Sequence, residues 1–293
     1  MFKTQEFKYY MQVFFATLIW GAAYPFTQYA VSKISPLSVV FLRSIFGGLF
    51  LFLFVRPKLS VFVKADLILK LLVISVFGVS LQQYIQSYAL KYTTSINAGF
   101  IMPFTPVVIV MIEVILGERL SISKIFAFIL GIIGTFIIIY SKGRFDFNLP
   151  STKGDLIFLT SSFTWALYVV FTRRWFSGFL QKDVTAVTML VAFITLIPFE
   201  VNNSLFGEIR NLDTFGWISL FYLCFLSSFI GYLFWNNAIE KLGPIKPSYF
   251  IYLQPFSSAV SAYIILGEKV SLLALVGGVL ILLGVYIVIF DKK

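Results

Sequence analysis

A chain of 293 residues that is 59% hydrophobic and 12% charged, with a mean hydropathy of +0.92, carries more apolar surface than a soluble fold can bury. A soluble domain is usually about a quarter charged, so the excess must face lipid. The formal charge of +10 does not mark a nucleic-acid binder, because Lys and Arg stand singly or in pairs between apolar runs, a distribution that orients membrane proteins.

Histidine is absent and Cys224 is the only cysteine. That excludes disulfides, Cys/His metal sites and any mechanism needing an imidazole base. A span needs about 20 mostly apolar residues, and such windows predict an all-α polytopic protein with ten transmembrane helices. Helix one, 11–31, contains "LIWGAAYPF" with Trp20 and Tyr24. Its basic start resembles a signal peptide, but its length, its aromatic content and the spans that follow make it a retained helix.

Helix two, 37–55, carries Arg43 in an apolar run, and helix three, 67–90, carries Gln82, Gln83 and Gln86. Gln82 and Gln86 share a face at i, i+4 spacing. Helix four, 95–116, holds Asn97 and the kinking segment "MPFTP" with Pro106, and helix five, 123–141, holds Ala127 and Gly131. After a loop at 142–153, helix six, 154–174, carries Trp165 and Tyr168, and helix seven, 184–201, contains Pro198. Helix eight, 215–239, includes Cys224, Trp235, Asn236 and Asn237. Helix nine, 246–266, has Tyr249, Tyr252 and Pro255 in "LQP", and helix ten, 271–290, has Gly277, Gly278 and Gly284.

Alternate connections on the N-terminal side carry about twice the Lys and Arg of the opposite side. Both termini are therefore expected in the cytoplasm, with the protein multi-pass in the cytoplasmic (plasma) membrane. The loop 142–153, with Lys142, Arg144 and Lys153, dissents.

One stretch is written twice. "QSYALKYTTSINAGFIMPFTPVVIVMIEVILGERL" returns as "NNAIEKLGPIKPSYFIYLQPFSSAVSAYIILGEKV", and Gly134 is matched by Gly284 and Trp20 by Trp165. The chain therefore divides into a five-helix repeat, 1–141, the loop, and a second repeat, 154–293, within one compact transmembrane domain. Five is odd, so the second repeat enters the membrane upside down, an arrangement used by transporters that bind cargo where the repeats meet. Pro106 breaks the match slightly, standing one residue closer to its Leu-Gly-Glu than Pro255 does.

"LIWGAAYPF", "FLRSIFGGLFLF" and the two "LGE" turns followed by a base resemble the drug/metabolite transporter superfamily, most closely its EamA family. The resemblance implies a ten-helix bundle with a central cavity and a carrier that exports amino acids or other small metabolites. Lipophilic-cation or drug export, and sugar or nucleotide-sugar transport, are the alternatives within that superfamily. A membrane enzyme would need a catalytic set that is absent here, and a channel would need polar or charged rings. No cofactor is expected.

Polarity at membrane depth supplies the candidate substrate-binding residues. Tyr24, Arg43, Gln82, Gln83, Gln86 and Asn97 fall in the outer half of the first repeat. Asn236, Tyr249 and Tyr252 fall in the inner half of the second, with Trp165 between. Trp20, Tyr168 and Trp235 join them because their polar atoms need partners. Each Gln or Asn could equally serve helix-to-helix hydrogen bonding, worth about 0.6 kcal/mol. Arg43 either clamps a substrate carboxylate or pairs with an acid, caps carbonyls or snorkels. Glu113 is read as a proton-coupling acid or as an interfacial residue, while Glu118 and Glu268 are structural. Pro106 and Pro255 mark gates or tolerated curvature. The small residues of helices five and ten form a scaffold edge or a homodimer face.

Overall fold

The computed structural model describes residues 4–117, 122–140, 150–201, 205–242, 247 and 249–289, with no strand among them. Helix α1 spans Thr4–Lys33, α2 Pro36–Val55, α3 Ala65–Ala89 and α4 Ser95–Ile115. Helix α5 is Ile122–Tyr140, α6 Pro150–Trp175 and α7 Gln181–Glu200. A short helix, Leu205–Arg210, leads to α8, Thr214–Leu242. A 3₁₀ stretch, Tyr249–Leu253, runs into α9, Gln254–Leu266, and α10 is Leu272–Ile289. Helices α2, α3, α4, α6, α7 and α8 are long and apolar enough to cross a membrane, and α5 and α10 hold shorter apolar stretches.

Local chemistry sets the ends. Ser35 caps α2 by accepting from Ser38 N, with Pro36 at the first helical positions, where its missing N–H costs nothing. Thr94 caps α4 through Asn97 N, and Asp213 caps α8 through Gly216 N. Helix α7 starts at Gln181 rather than 184 and continues through Pro198 as one helix of 20 residues.

The expected proline breaks are present at both matching positions. A 3₁₀ turn at Met102–Phe104 precedes the α segment Thr105–Ile115, and Tyr249–Leu253 precedes α9; Pro106 and Pro255 stand in the first turn of the segment that resumes. Proline fits there because the first N–H groups of a helix have no intrahelical partner.

Helix α1 packs against α8 and α9, α6 against α3 and α4, α2 against α7, and α5 against α10. Moving every helix five places along the chain turns these pairs into one another: α1–α9 becomes α6–α4, α1–α8 becomes α6–α3, and the other two map onto themselves. The α5–α10 contact shows why glycine is required. A Cβ on Gly134 would lie 2.5 Å from the Gly277 carbonyl oxygen, and one on Gly277 would lie 2.5 Å from that of Gly134. Gly131 faces Val107 and Phe104, and Gly278 faces Phe100. These small residues are therefore engaged within the chain, while Phe126, Ile133, Val279 and Leu283 are exposed on the outside of the pair. The side chain of Ala127 lies outside the described residues.

Candidate functional site

A cavity opens where α1, α2, α3 and α4 meet α6, α8 and α9. Its lining includes Trp20, Tyr24 and Thr27 of α1, Arg43 of α2, Gln82, Gln83 and Gln86 of α3, and Met102 and Thr105 of α4. From the second half come Trp165 of α6, Ser227 and Tyr232 of α8, and Ile251 and Gln254 around the start of α9. Aromatic faces, amides and hydroxyls are thus gathered around one charge.

Three of the four first-half helices that line the cavity, and α8, change character here. The α2 backbone becomes π-helical at Arg43–Gly47, α3 at Val76–Leu81, ending on Gln82, and α8 at Tyr222–Gly231, around Ser227 and Ser228; α4 has its 3₁₀ turn at Met102–Phe104. π segments widen the helix and free backbone groups, and they are frequent at functional sites. A backbone group of the α8 segment is used directly: the Trp20 indole N–H donates to the Ser227 carbonyl at 3.1 Å.

Arg43 is 8% exposed. Its Nε donates to Ser228 Oγ at 3.2 Å and its Nη2 to Ser227 Oγ at 3.3 Å. Gly47 makes this reach possible, because a Cβ there would collide with Ser228 and hold α2 off α8. Among the described residues no carboxylate lies within ion-pair distance of Arg43, and none of the cavity lining is acidic. The two serine hydroxyls orient the guanidinium without neutralising it.

Across the cavity, the Tyr24 hydroxyl donates to Gln254 Oε1 at 3.2 Å, and Gln86 Nε2 donates to Ser161 Oγ at 3.4 Å. A Cβ on Gly21 would sit 2.6 Å from the Gln254 carbonyl oxygen, so α1 and α9 run backbone to backbone beside the site. The Trp20 ring lies 5.2 Å from Tyr232 and from Trp235, and Trp165 stacks on Tyr168 at 5.0 Å.

The structure therefore brings Trp20, Tyr24, Arg43, Gln82, Gln86 and Trp165 into one cavity. Tyr168 and Trp235 stand behind it as supports for the two lining tryptophans. Asn97 and Asn236 are elsewhere. Asn97 Nδ2 donates to buried Asp155, which also accepts from Thr93, tying the α3–α4 turn to α6. Asn236 Nδ2 donates to Thr185 Oγ1 at 3.1 Å, tying α8 to α7. The side chains of Tyr249, Tyr252 and Pro106 lie outside the described residues, while Pro255 is buried at the start of α9.

Glu113 is in an ion pair with Arg174 and is not part of the lining. Glu268 accepts from Ser95 N and Ile96 N, capping α4 from the turn after α9. Glu118 falls outside the described residues. Gln83, one of the polar residues noted on helix three, also lines the cavity. Sequence reasoning missed Thr27, Thr105, Ser227, Tyr232 and Gln254, of which Gln254 carried a usable signal as the middle residue of the "LQP" break.

At the end where α1 finishes, the halves are joined by a set of polar contacts. Lys33 Nζ is 3.0 Å from Asp213, and the Tyr29 hydroxyl donates to the same carboxylate at 2.6 Å. Ser38 donates to Glu200 at 2.6 Å and Ser35 N to Glu208 at 3.0 Å. The Glu268 cap on α4 adds a further contact between the halves.

The sequence model of the EamA-like transporter family matches the chain twice, over residues 7–140 and 152–290. The chain belongs to the EamA-like transporter family. It is 28% identical over 281 residues to an uncharacterized transporter of Archaeoglobus fulgidus, covering 92% of this chain and 93% of that one. It is 25% identical over 184 residues to a probable amino-acid metabolite efflux pump of Escherichia coli, covering 60% and 61% of the two chains. A solved crystal structure shares the fold with a TM-score of 0.68 over 95% of each chain, at 19% identity. This EamA protein is a multi-pass membrane transporter and not an enzyme.

Proposed function

We propose that this EamA protein is a secondary carrier that exports small carboxylate-bearing metabolites, amino acids among them, across the cytoplasmic membrane by alternating access at the cavity around Arg43. The observation that carries this reading is the cavity itself. Both halves of the chain line it, and it holds a buried guanidinium with no carboxylate beside it among the described residues. Ten spans in two five-helix halves of opposite orientation underlie the reading. The double family match and the pairing of helices five places apart support it.

With both termini in the cytoplasm, the contacts around Asp213, Glu200, Glu208 and Glu268 form the outer seal, and the cavity faces inward behind it. The Pro106 and Pro255 breaks are the flexible points at which α4 and α9 swing. The name of the Escherichia coli relative, an amino-acid metabolite efflux pump, supports the cargo class. Amides, hydroxyls and stacked aromatics would also suit a sugar, which gives Arg43 no charged partner. Export of a lipophilic cation is disfavoured by the same positive charge.

Counterflow in proteoliposomes tests the function. Unlabelled amino acids, organic acids, sugars or cations are loaded inside, and labelled uptake of the same compound is followed. Stimulated uptake of a carboxylate supports the carrier, and stimulation by none of the compounds refutes it. Single cysteines placed in successive connections of the Cys224→Ser protein test the inversion. Labelling from alternate sides along the whole chain is expected, and a second half oriented like the first would overturn the reading.

A further inference from the structure

The cavity's charge balance narrows its cargo further. A zwitterion brings no net charge, so its carboxylate can pair with Arg43 only by leaving its own ammonium group uncompensated at membrane depth, where an unneutralised charge is costly. A cation makes the imbalance worse. A group with one negative charge and no positive one removes it. The serine hydroxyls already occupy Arg43 Nε and Nη2 at 3.2 and 3.3 Å, which leaves the Nη1 side and the second Nη2 proton for an incoming acceptor. Nothing acidic in the described lining offers to hold an ammonium group.

The rest of the lining selects what the carboxylate is attached to. Trp20, Trp165 and Tyr232 face the same cavity. Trp20 is fixed by its bond to the Ser227 carbonyl and Trp165 by stacking on Tyr168. Tyr232 meets Trp20 edge to face at 5.2 Å and Trp165 at 6.4 Å, so the three rings form one preformed aromatic wall against which a planar apolar group can pack, since aromatic pairs gain beyond the area they bury.

We propose that the preferred cargo is a small aromatic monocarboxylate with no second charge, its carboxylate on Arg43 and its ring against the wall formed by Trp20, Trp165 and Tyr232. The proposal rests on the cavity being the transport site. It excludes the corresponding amino acid as the best ligand, and so goes further than the cargo class given above.

A matched set of probes separates the cases: 3-phenylpropanoate, phenylalanine, 2-phenylethylamine and 3-phenylpropanamide share a ring and differ in charge. Thermal shift and counterflow with the purified full-length protein are expected to rank 3-phenylpropanoate first, with roughly tenfold tighter apparent binding than phenylalanine and no response to the amine. In Arg43→Gln, which keeps a hydrogen-bond donor and removes the charge, the preference for propanoate over propanamide should vanish. The ranking on the native protein is decisive even if that variant does not fold.

Phenylalanine or the amine binding as tightly as the propanoate overturns the charge assignment. So does discrimination that survives in Arg43→Gln. Acetate or chloride stabilising as strongly overturns the aromatic half. A response to none of the four probes overturns the whole proposal. In that case the carrier reading still stands if the broader counterflow screen finds a transported compound, and falls only if it finds none.

Discussion

The cavity and the α5–α10 pair are built from the same kind of apolar helix and follow opposite rules. Helices α5 and α10 run regularly and meet glycine to backbone, with Gly134 and Gly277 each lying under the other's carbonyl. At the cavity the helices abandon regularity in α2, α3, α4 and α8. There they bury an arginine, four glutamines and several hydroxyls. A rigid seam on one side and a locally unwound, polar centre on the other is what a carrier needs if one part is to move against another. Stability should therefore respond to substitutions in the seam, and transport to substitutions at the centre.

Arg43 gives the sharpest separation. A buried charge without a counter-ion destabilises the fold, and Ser227 and Ser228 can return their hydroxyls to their own helix once it is gone. Arg43→Met should therefore raise the melting temperature in detergent. It should also lower transport of a carboxylate cargo roughly 10- to 100-fold, the loss of a charged hydrogen-bonded contact worth about 1.5–3 kcal/mol. A lower melting temperature with transport preserved would make Arg43 a structural residue and erase the contrast between the two regions.

Two glycine substitutions come next. Gly134→Ala places a methyl group against the Gly277 carbonyl, and Gly21→Ala places one against the Gln254 carbonyl. Backbone cannot step aside as a side chain can, so each should cost about 1–3 kcal/mol of stability, read as a lower melting temperature. Gly134→Ala should leave the apparent KM for cargo unchanged. Gly21→Ala should raise it, because the helix it displaces carries Gln254. Equal effects of the two on KM would mean that the seam and the centre are one mechanical unit.

How much of this was legible in the sequence follows from what each feature needs to announce itself. The helices, their order and the proline breaks were readable because apolar length and missing N–H groups act locally. Tyr24, Arg43, Gln82 and Gln86 stood out as polar groups inside apolar runs. Ser227, Ser228 and Thr105 did not, since a hydroxyl in a helix can bond to its own backbone and carries no necessary message. The π segments have no composition of their own and arise from packing. Gln83 was legible by depth as part of the same polar cluster, although a regular helix turns it away from the face shared by Gln82 and Gln86. Asn97 and Asn236 were assigned to cargo because polarity at depth also serves to tie helices together, which is what their bonds to Asp155 and Thr185 do.

Trp20 tests whether the centre is pinned or merely filled. Trp20→Phe keeps an aromatic ring and removes the N–H that donates to the Ser227 carbonyl, a bond worth about 0.5–1.5 kcal/mol. Transport should fall a few-fold through a higher KM, with the melting temperature lowered only slightly. Unchanged KM would show that the π segment of α8 holds its shape without this bond.

The smallest effect lies at the seal beyond the cavity and is visible through pH. The Asp213 carboxyl is held down at about 2, first by the Tyr29 hydroxyl, then by the Gly216 N–H and Lys33. A depressed carboxyl contributes its stability above its ordinary value, near 3.8, and loses it as pH falls through the native one. The native protein should therefore lose this contribution between about pH 4 and pH 2. Tyr29→Phe removes the largest cause, so its carboxyl should titrate closer to the ordinary value. Its melting temperature should lie slightly below the native one above pH 4, and the two should converge below about pH 2. Because the cluster is exposed, the difference should shrink as salt is added. A difference that persists below pH 2 would mean Tyr29 acts by packing against Phe215 rather than through Asp213, and the seal would then be apolar like the α5–α10 seam.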